Sequence, residues 1–371
     1  MPMLRRVAVA GLLAVRLAST AHAQSVDPVA ERGFAALQRG DVDAAAALFR
    51  TALADRPRDA VLLYGAGYAA HLQGRDDEAA RLLQEAIRIE PRLVQAAVLA
   101  GEIAYRRGDL DLAITTYERA RSHAPSNPTI RERLDALKAE AGVEERFEAY
   151  RDDRFTVMFD GPAQQKLAAH ATATMSASFM RTTAALGTAP SAPIRVVFYT
   201  TQQFHDITGA PEWAGGGFDG QIRLALGGAA QDLAEFDRVL THELTHAIIH
   251  GVAPRNVPAW LHEGLAMRFE TGGARKARTP AATRVFIPLA ALQQGFARLT
   301  TAQAIVAYDE SAFAAGVLVG RIGPQGLSLL LQDLDGGQTI DQAVLRFGFT
   351  FQAFEADVAR RLGVGPSAGR R

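Results

Sequence analysis

Small, apolar and turn-forming positions in the first third of the chain recur every 34 residues. Pro57, Pro91 and Pro125 keep this step, as do Gly40, Gly74 and Gly108, and Gly33, Gly67 and Gly101. Ala45, Ala79 and Ala113 share it, and so do Ala52, Ala86 and Ala120. Small residues let paired helices approach, Phe49, Leu83 and Tyr117 fill the gap between them, and proline ends the second helix of each pair. Three helix pairs are predicted, followed over about residues 128–148 by a solvating cap helix with Pro128 in its first turn. The register puts Phe34, Tyr64, Tyr68, His71, Glu102 and Tyr105 toward the concave face. That aromatic lining is either a peptide-docking groove or a surface that packs against the next domain of the same chain.

From Tyr150 the pattern changes. Residues 154–160 alternate like a strand, and Gly161-Pro162 opens an Ala-rich helix ending near Leu186-Gly187. Residues 194–200 form a continuous apolar strand and residues 202–207 a short helix. Residues 209–220 are rich in glycine and are predicted as a loop, whose Trp213 and Phe218 either wall a cleft or pack locally. Residues 221–226 alternate again and predict a strand. Helices follow over about 232–249, stopped by Gly251, and about 258–271. The rest, to about Leu362, reads as mostly helical with turns at Gly323-Pro324 and Gly336-Gly337. The expected class is α+β, mainly α. An α-solenoid of three repeats spans 24–148, a core with a small mixed sheet 149–275, a helical C-terminal part 276–364, and a loose tail 365–371.

Composition narrows the setting. Arg5-Arg6, a short apolar run over residues 7–15 and Ala21-His22-Ala23 make residues 1–23 an export signal, cleaved ahead of Gln24. The mature protein is expected to be periplasmic or secreted, with no membrane span after cleavage. Lys+Arg and Asp+Glu both total 40, so no bulk field draws the chain to nucleic acid. Cysteine is absent, which excludes disulfides and thiolate metal sites. Any metal must rest on histidine and carboxylate.

His242-Glu243-Leu244-Thr245-His246 supplies such groups. HExxH on a helix turns two imidazoles to one side, where they can share an ion, and Glu243 between them can act on an activated water as general base. A catalytic zinc needs a third protein ligand and an open position. Glu263, in Trp260-Leu261-His262-Glu263-Gly264-Leu265-Ala266, is the best candidate, on a helix that returns antiparallel after the loop over 252–257. Gly264 and Ala266 are expected to let this helix pack closely on the first. His250 lies two turns beyond His242, about 12 Å along the axis, and His262 points about 100° away from Glu263. Both read as structural, or as partners of the ligands.

His242 to His246 followed by Pro258-Ala259-Trp260-Leu261-His262-Glu263-Gly264-Leu265-Ala266 resembles the gluzincin zinc metallopeptidases, most closely the peptidase MA-like domains often fused to tetratricopeptide repeats. The 34-residue period is that of the tetratricopeptide repeat. The likeness takes in residues 194–200, Gly209-Ala210-Pro211-Glu212-Trp213, residues 220–226 and Tyr308-Asp309-Glu310-Ser311, and covers roughly 154–362. It implies a thermolysin-like domain with one Zn2+ held by His242, His246 and Glu263, and Glu243 as base. It also implies a small sheet whose edge strand, here 221–226, pairs with an extended substrate. Thermolysin-like relatives carry a histidine-orienting aspartate four residues after the third ligand, where this chain has Met267. The partner must then come from elsewhere, with Glu270 and Asp237 as candidates. Tyr308 is a candidate donor to the tetrahedral oxyanion, or a packing residue.

The expected function is an exported zinc peptidase acting on peptide or protein substrates, its repeats recruiting or positioning a protein partner. The alternative is a repeat scaffold or chaperone-like binding protein with a silent metal domain. An aminopeptidase needs an acidic group for the free amine, and Gly215-Gly216-Gly217-Phe218-Asp219 ahead of HExxH lacks a glutamate, so an endopeptidase is preferred.

Overall fold

The computed structural model describes residues 28–210, 214–228, 232–270 and 286–363. The expected export signal, Trp213 and the C-terminal tail lie outside them. The described residues form two compact units, one ending at Arg146 and the other beginning at Phe147.

The first unit is built from helix pairs: α1 (Pro28–Gln38) with α2 (Val42–Asp55), α3 (Ala60–Leu72) with α4 (Asp76–Ile89), and α5 (Val94–Arg106) with α6 (Leu110–His123). Helix α7 (Pro128–Glu144) closes the stack, with Asn127 capping it through a hydrogen bond from Ile130 N. The small positions work sterically. A Cβ on Gly33 would stand 2.5 Å from the Phe49 ring, one on Gly67 2.9 Å from Leu83, and one on Gly101 2.7 Å from Tyr117. Gly40, Gly74 and Gly108 all take left-handed backbone, at φ 79°, 70° and 76°, which explains glycine at the turn inside each pair.

The concave-face residues are engaged within the unit. Phe34 meets Phe49 edge-on and lies 5.8 Å from Tyr64, which stacks on Tyr68. His71 Nδ1 contacts Asp76 at 2.6 Å. Helix α7 claims the last two: Tyr105 Oη donates to Glu140, and Arg133 donates to Glu102 while lying over the Tyr105 ring. Sequence reasoning had not anticipated that α7 would satisfy this end of the lining.

The second unit holds a five-stranded mixed sheet in the order β1-β2-β3-β5-β4. Strands β1 (Glu148–Arg151) and β2 (Phe155–Phe159) are antiparallel, and helix α8 (Gly161–Leu186) then leads to β3 (Ile194–Tyr199), parallel to β2. Helix α9 (Thr201–Thr208) precedes β4 (Gly216–Phe218) and β5 (Ile222–Ala225), β5 pairing parallel with β3 and antiparallel with β4. Two expectations are corrected here. Part of the glycine-rich segment is strand, not loop, because bare glycines can fold back flat along β5. The 221–226 strand is therefore interior, and β4 takes the edge. A Cβ on Gly216 would stand 2.5 Å from Leu224 and 2.9 Å from Val239, so only glycine allows that close approach.

Phe155, Val157, Val196, Phe198, Ile222 and Leu224 share one buried cluster with Leu240 and Leu244 of α10 (Leu233–Val252) and Met175 of α8. Helix α10 runs through Gly251 and ends at Ala253, whose backbone (φ −150°, ψ 76°) is extended ahead of Pro254. Gly251 is thus not the stop; it packs on Pro190, where a Cβ would stand at 2.7 Å. Helix α11 (Ala259–Phe269) follows, then α12 (Thr301–Asp335), α13 (Ile340–Ala343) and α14 (Phe351–Arg361). By length and composition α12 is apolar enough to cross a membrane, but it bends at Gly323 (φ 67°, ψ 179°) and packs on α11.

Candidate metal centre

Asp232 caps α10 by accepting from Glu235 N, and the helix then buries every residue from Val239 to Ile249. His242, Glu243 and His246 are therefore inside the unit, with 4 to 6% exposure. Helix α11 returns beside it and buries Glu263. His242 Nε2 and His246 Nε2 are 3.1 Å apart, and Glu263 Oε2 lies 3.5 and 3.4 Å from them. A tetrahedral ion with bonds of 2.0–2.1 Å has ligand–ligand edges of about 3.3 Å, and this triangle matches that size. Glu263 Oε2 is buried without a hydrogen-bond partner, which a cation would satisfy. The residues fit one metal ion.

The two remaining imidazole nitrogens face partners. His242 Nδ1 contacts Glu270 Oε1 at 2.9 Å, and Glu270 Oε1 also accepts from Arg238 Nη1 at 3.0 Å. His246 Nδ1 lies 2.6 Å from His262 Nδ1. Of the two carboxylates considered for Met267's missing role, Glu270 is in place. Asp237 is not: it faces α8, bonding His170 at 2.8 Å and Thr174 at 3.3 Å. Arg238 was missed altogether, although its place one turn before His242 was a usable signal.

Electrostatics follow from burial and pairing. Burial opposes charge on His242, yet Glu263, Glu270 and Glu243 outweigh it and lift its pKa to about 10. Burial likewise opposes charge on Glu263, but the two imidazoles hold its carboxyl well below the usual range. Burial dominates at Glu243 and pushes its carboxyl up. Tyr308 on α12 meets Phe296 edge-on at 4.9 Å, and burial with the charges of Glu263 and Glu243 pushes its phenol up.

Other expectations fall differently. His250 lies edge-on to Phe218 at 5.4 Å, outside the triangle, and Phe218 packs against the core. Gly264 packs on α12, not on α10: a Cβ there would stand 2.2 Å from Ser311 O. Glycine was needed because α12 crosses behind α11 at that point.

The fold and the site together define a helical-repeat protein with a buried His–His–Glu centre on two adjoining helices. A model of the Peptidase MA superfamily matches residues 173–361, just over half of the chain, and the chain belongs to that superfamily. A tetratricopeptide-repeat model matches residues 31–93 and 77–128. Similar solved structures include PcrH bound to the chaperone-binding region of PopD, at 23% identity over 30% of this chain and 89% of that one, with a TM-score of 0.28. The translocator chaperone SycD of Yersinia enterocolitica is another, at 16% identity over 33% of this chain and 90% of that one, with a TM-score of 0.30. Scores this low carry no functional weight. No curated protein matches the chain.

Proposed function

We propose that the chain is an exported zinc peptidase of gluzincin type, with a thermolysin-like catalytic domain and repeats that recruit or position a protein substrate or partner. The observation that carries this reading is the buried triangle of His242 Nε2, His246 Nε2 and Glu263 Oε2, with Glu243 in the same turn of α10. Two imidazoles and one carboxylate in a chain without cysteine suit zinc. Such an ion supplies Lewis acidity to a water and to a scissile carbonyl. Glu243 takes the proton of the attacking water and returns it to the leaving amine nitrogen, a task that a carboxyl pKa raised by burial favours. Tyr308, whose raised pKa keeps its phenol protonated, donates to the developing oxyanion. Residues 1–23 direct export, and an endopeptidase is favoured because Gly215-Gly216-Gly217-Phe218-Asp219, ahead of HExxH, carries no glutamate to hold a substrate amine.

The test is Glu243→Ala in the full chain. Zinc content and the unfolding profile are expected to match wild type, while digestion of a broad peptide library stops. Unchanged digestion would sink the assignment. Stoichiometric zinc in wild type without any cleavage, together with repeat-dependent capture of a partner, would favour the scaffold reading carried by the repeats.

A further inference from the structure

His246 and His262 have ring centroids 4.7 Å apart, planes inclined by 24° and Nδ1 atoms 2.6 Å apart. Face-to-face rings cannot approach below van der Waals contact, roughly 3.5 Å. The nitrogens are closer than that, so the rings meet edge to edge and nearly coplanar. This is the geometry of an N–H···N hydrogen bond, in which one imidazole donates and the other accepts. His246 Nε2 faces His242 Nε2 and Glu263 Oε2, so its lone pair is needed there and its proton belongs on Nδ1. His262 Nδ1 is then the acceptor.

We propose that His262 is a positioning residue of the metal centre, accepting the His246 Nδ1–H bond and so fixing the tautomer and ring plane of the second ligand. The proposal rests on the metallopeptidase reading. It explains why the two ligands are held differently. Glu270 on His242 also accepts from Arg238, so that carboxylate has a cation beside it. A carboxylate on His246 would add negative charge beside Glu263, Glu243 and Glu270, whereas an imidazole acceptor orients the ring without adding an anion. Because His262 and Glu263 are consecutive on α11, one helix addresses both sides of His246.

The experiment measures zinc dissociation from the full chain by chelator competition, for wild type, His262→Asn and His262→Leu, with thermal unfolding of each metal-free form. Asn carries its oxygen on the atom from which the imidazole Nδ1 hangs and can accept the same bond; Leu has a similar shape and cannot. The Leu variant is expected to bind zinc 10- to 100-fold more weakly, on the order seen for lost ligand partners, and Asn to stay near wild type. Wild-type affinity in the Leu variant overturns the proposal. Equal losses in both variants overturn it too, since they reduce His262 to packing. Should Leu prevent folding, His262→Ala serves as the variant without an acceptor, read by the same criteria. A wild-type chain that holds no zinc defeats the metallopeptidase reading itself, and this proposal with it.

Discussion

Glu270 Oε1 joins His242 Nδ1, 2.9 Å away, to Arg238 Nη1, 3.0 Å away. Arg238 is also held by Glu235 through its Nε at 2.8 Å, so a run of charged side chains leads from the exposed side of α10 to a buried ligand.

Removing that carboxylate should loosen the metal. Glu270→Ala leaves His242 Nδ1 without its acceptor and Arg238 without its inner partner, and zinc affinity is expected to fall 10- to 100-fold, the usual order for such partners. Arg238→Met keeps the Glu270–His242 contact and is expected to cost less. Chelator competition on both variants decides it, and a larger loss in Arg238→Met would contradict the order.

The seat of α11 on α12 should be equally sensitive. In Gly264→Ala the added carbon would stand 2.2 Å from Ser311 O and 2.9 Å from Ala315 Cβ. Backbone cannot yield as a side chain does, so α11 must shift and carry Glu263 with it. A destabilisation of about 1–3 kcal/mol is expected, together with lower zinc content. Gly320→Ala, on the same α12 with no atom within 4 Å of the added carbon, is the control and should keep zinc content while raising stability by about 0.4–1 kcal/mol. Matching melting curves for the two variants would refute the steric account.

Zinc uptake should expel a proton. In the metal-free chain the pKa of His242 is lifted to about 10, against burial, by the carboxylates around it. At neutral pH that imidazole is therefore charged and must lose its proton to become a ligand. Apparent zinc affinity is expected to rise with pH, roughly tenfold per unit for one proton, and to level off near pH 10. The same raised pKa stabilises the metal-free fold fully below pH 6.5, the ordinary value, and that contribution disappears as pH rises through about 10. Calorimetry in buffers of different ionisation enthalpy counts the proton; no proton release at pH 7 would show His242 to be neutral already.

Much of this fold could be read from the chain because its signals are local. The 34-residue step of Gly40, Gly74 and Gly108 reflects one backbone conformation repeated three times. His242, His246 and Glu263 were legible because their spacing on two helices fixes where they point. What could not be read depended on contacts distant in sequence. Strand β1 reads Glu-Ala-Tyr-Arg, exposed throughout, with no alternation to announce it. Strand β4 has two glycines in three residues, and only pairing with β5 makes it a strand. Asp237 and Glu270 were equal candidates by residue type; the turn of α10 sends Asp237 to α8, while the end of α11 brings Glu270 to His242.

Among the described residues, the three groups that could hold a metal ion lie between His242 and Glu263, on two helices joined by the short link after Val252. Loop closure over so few residues costs little conformational entropy. Strands β2 and β3, by contrast, must find each other across the 26 residues of α8. The centre is buried deep in the fold yet local along the chain. Its three side chains need only a helical hairpin to meet, whereas the sheet needs pairing across a whole helix.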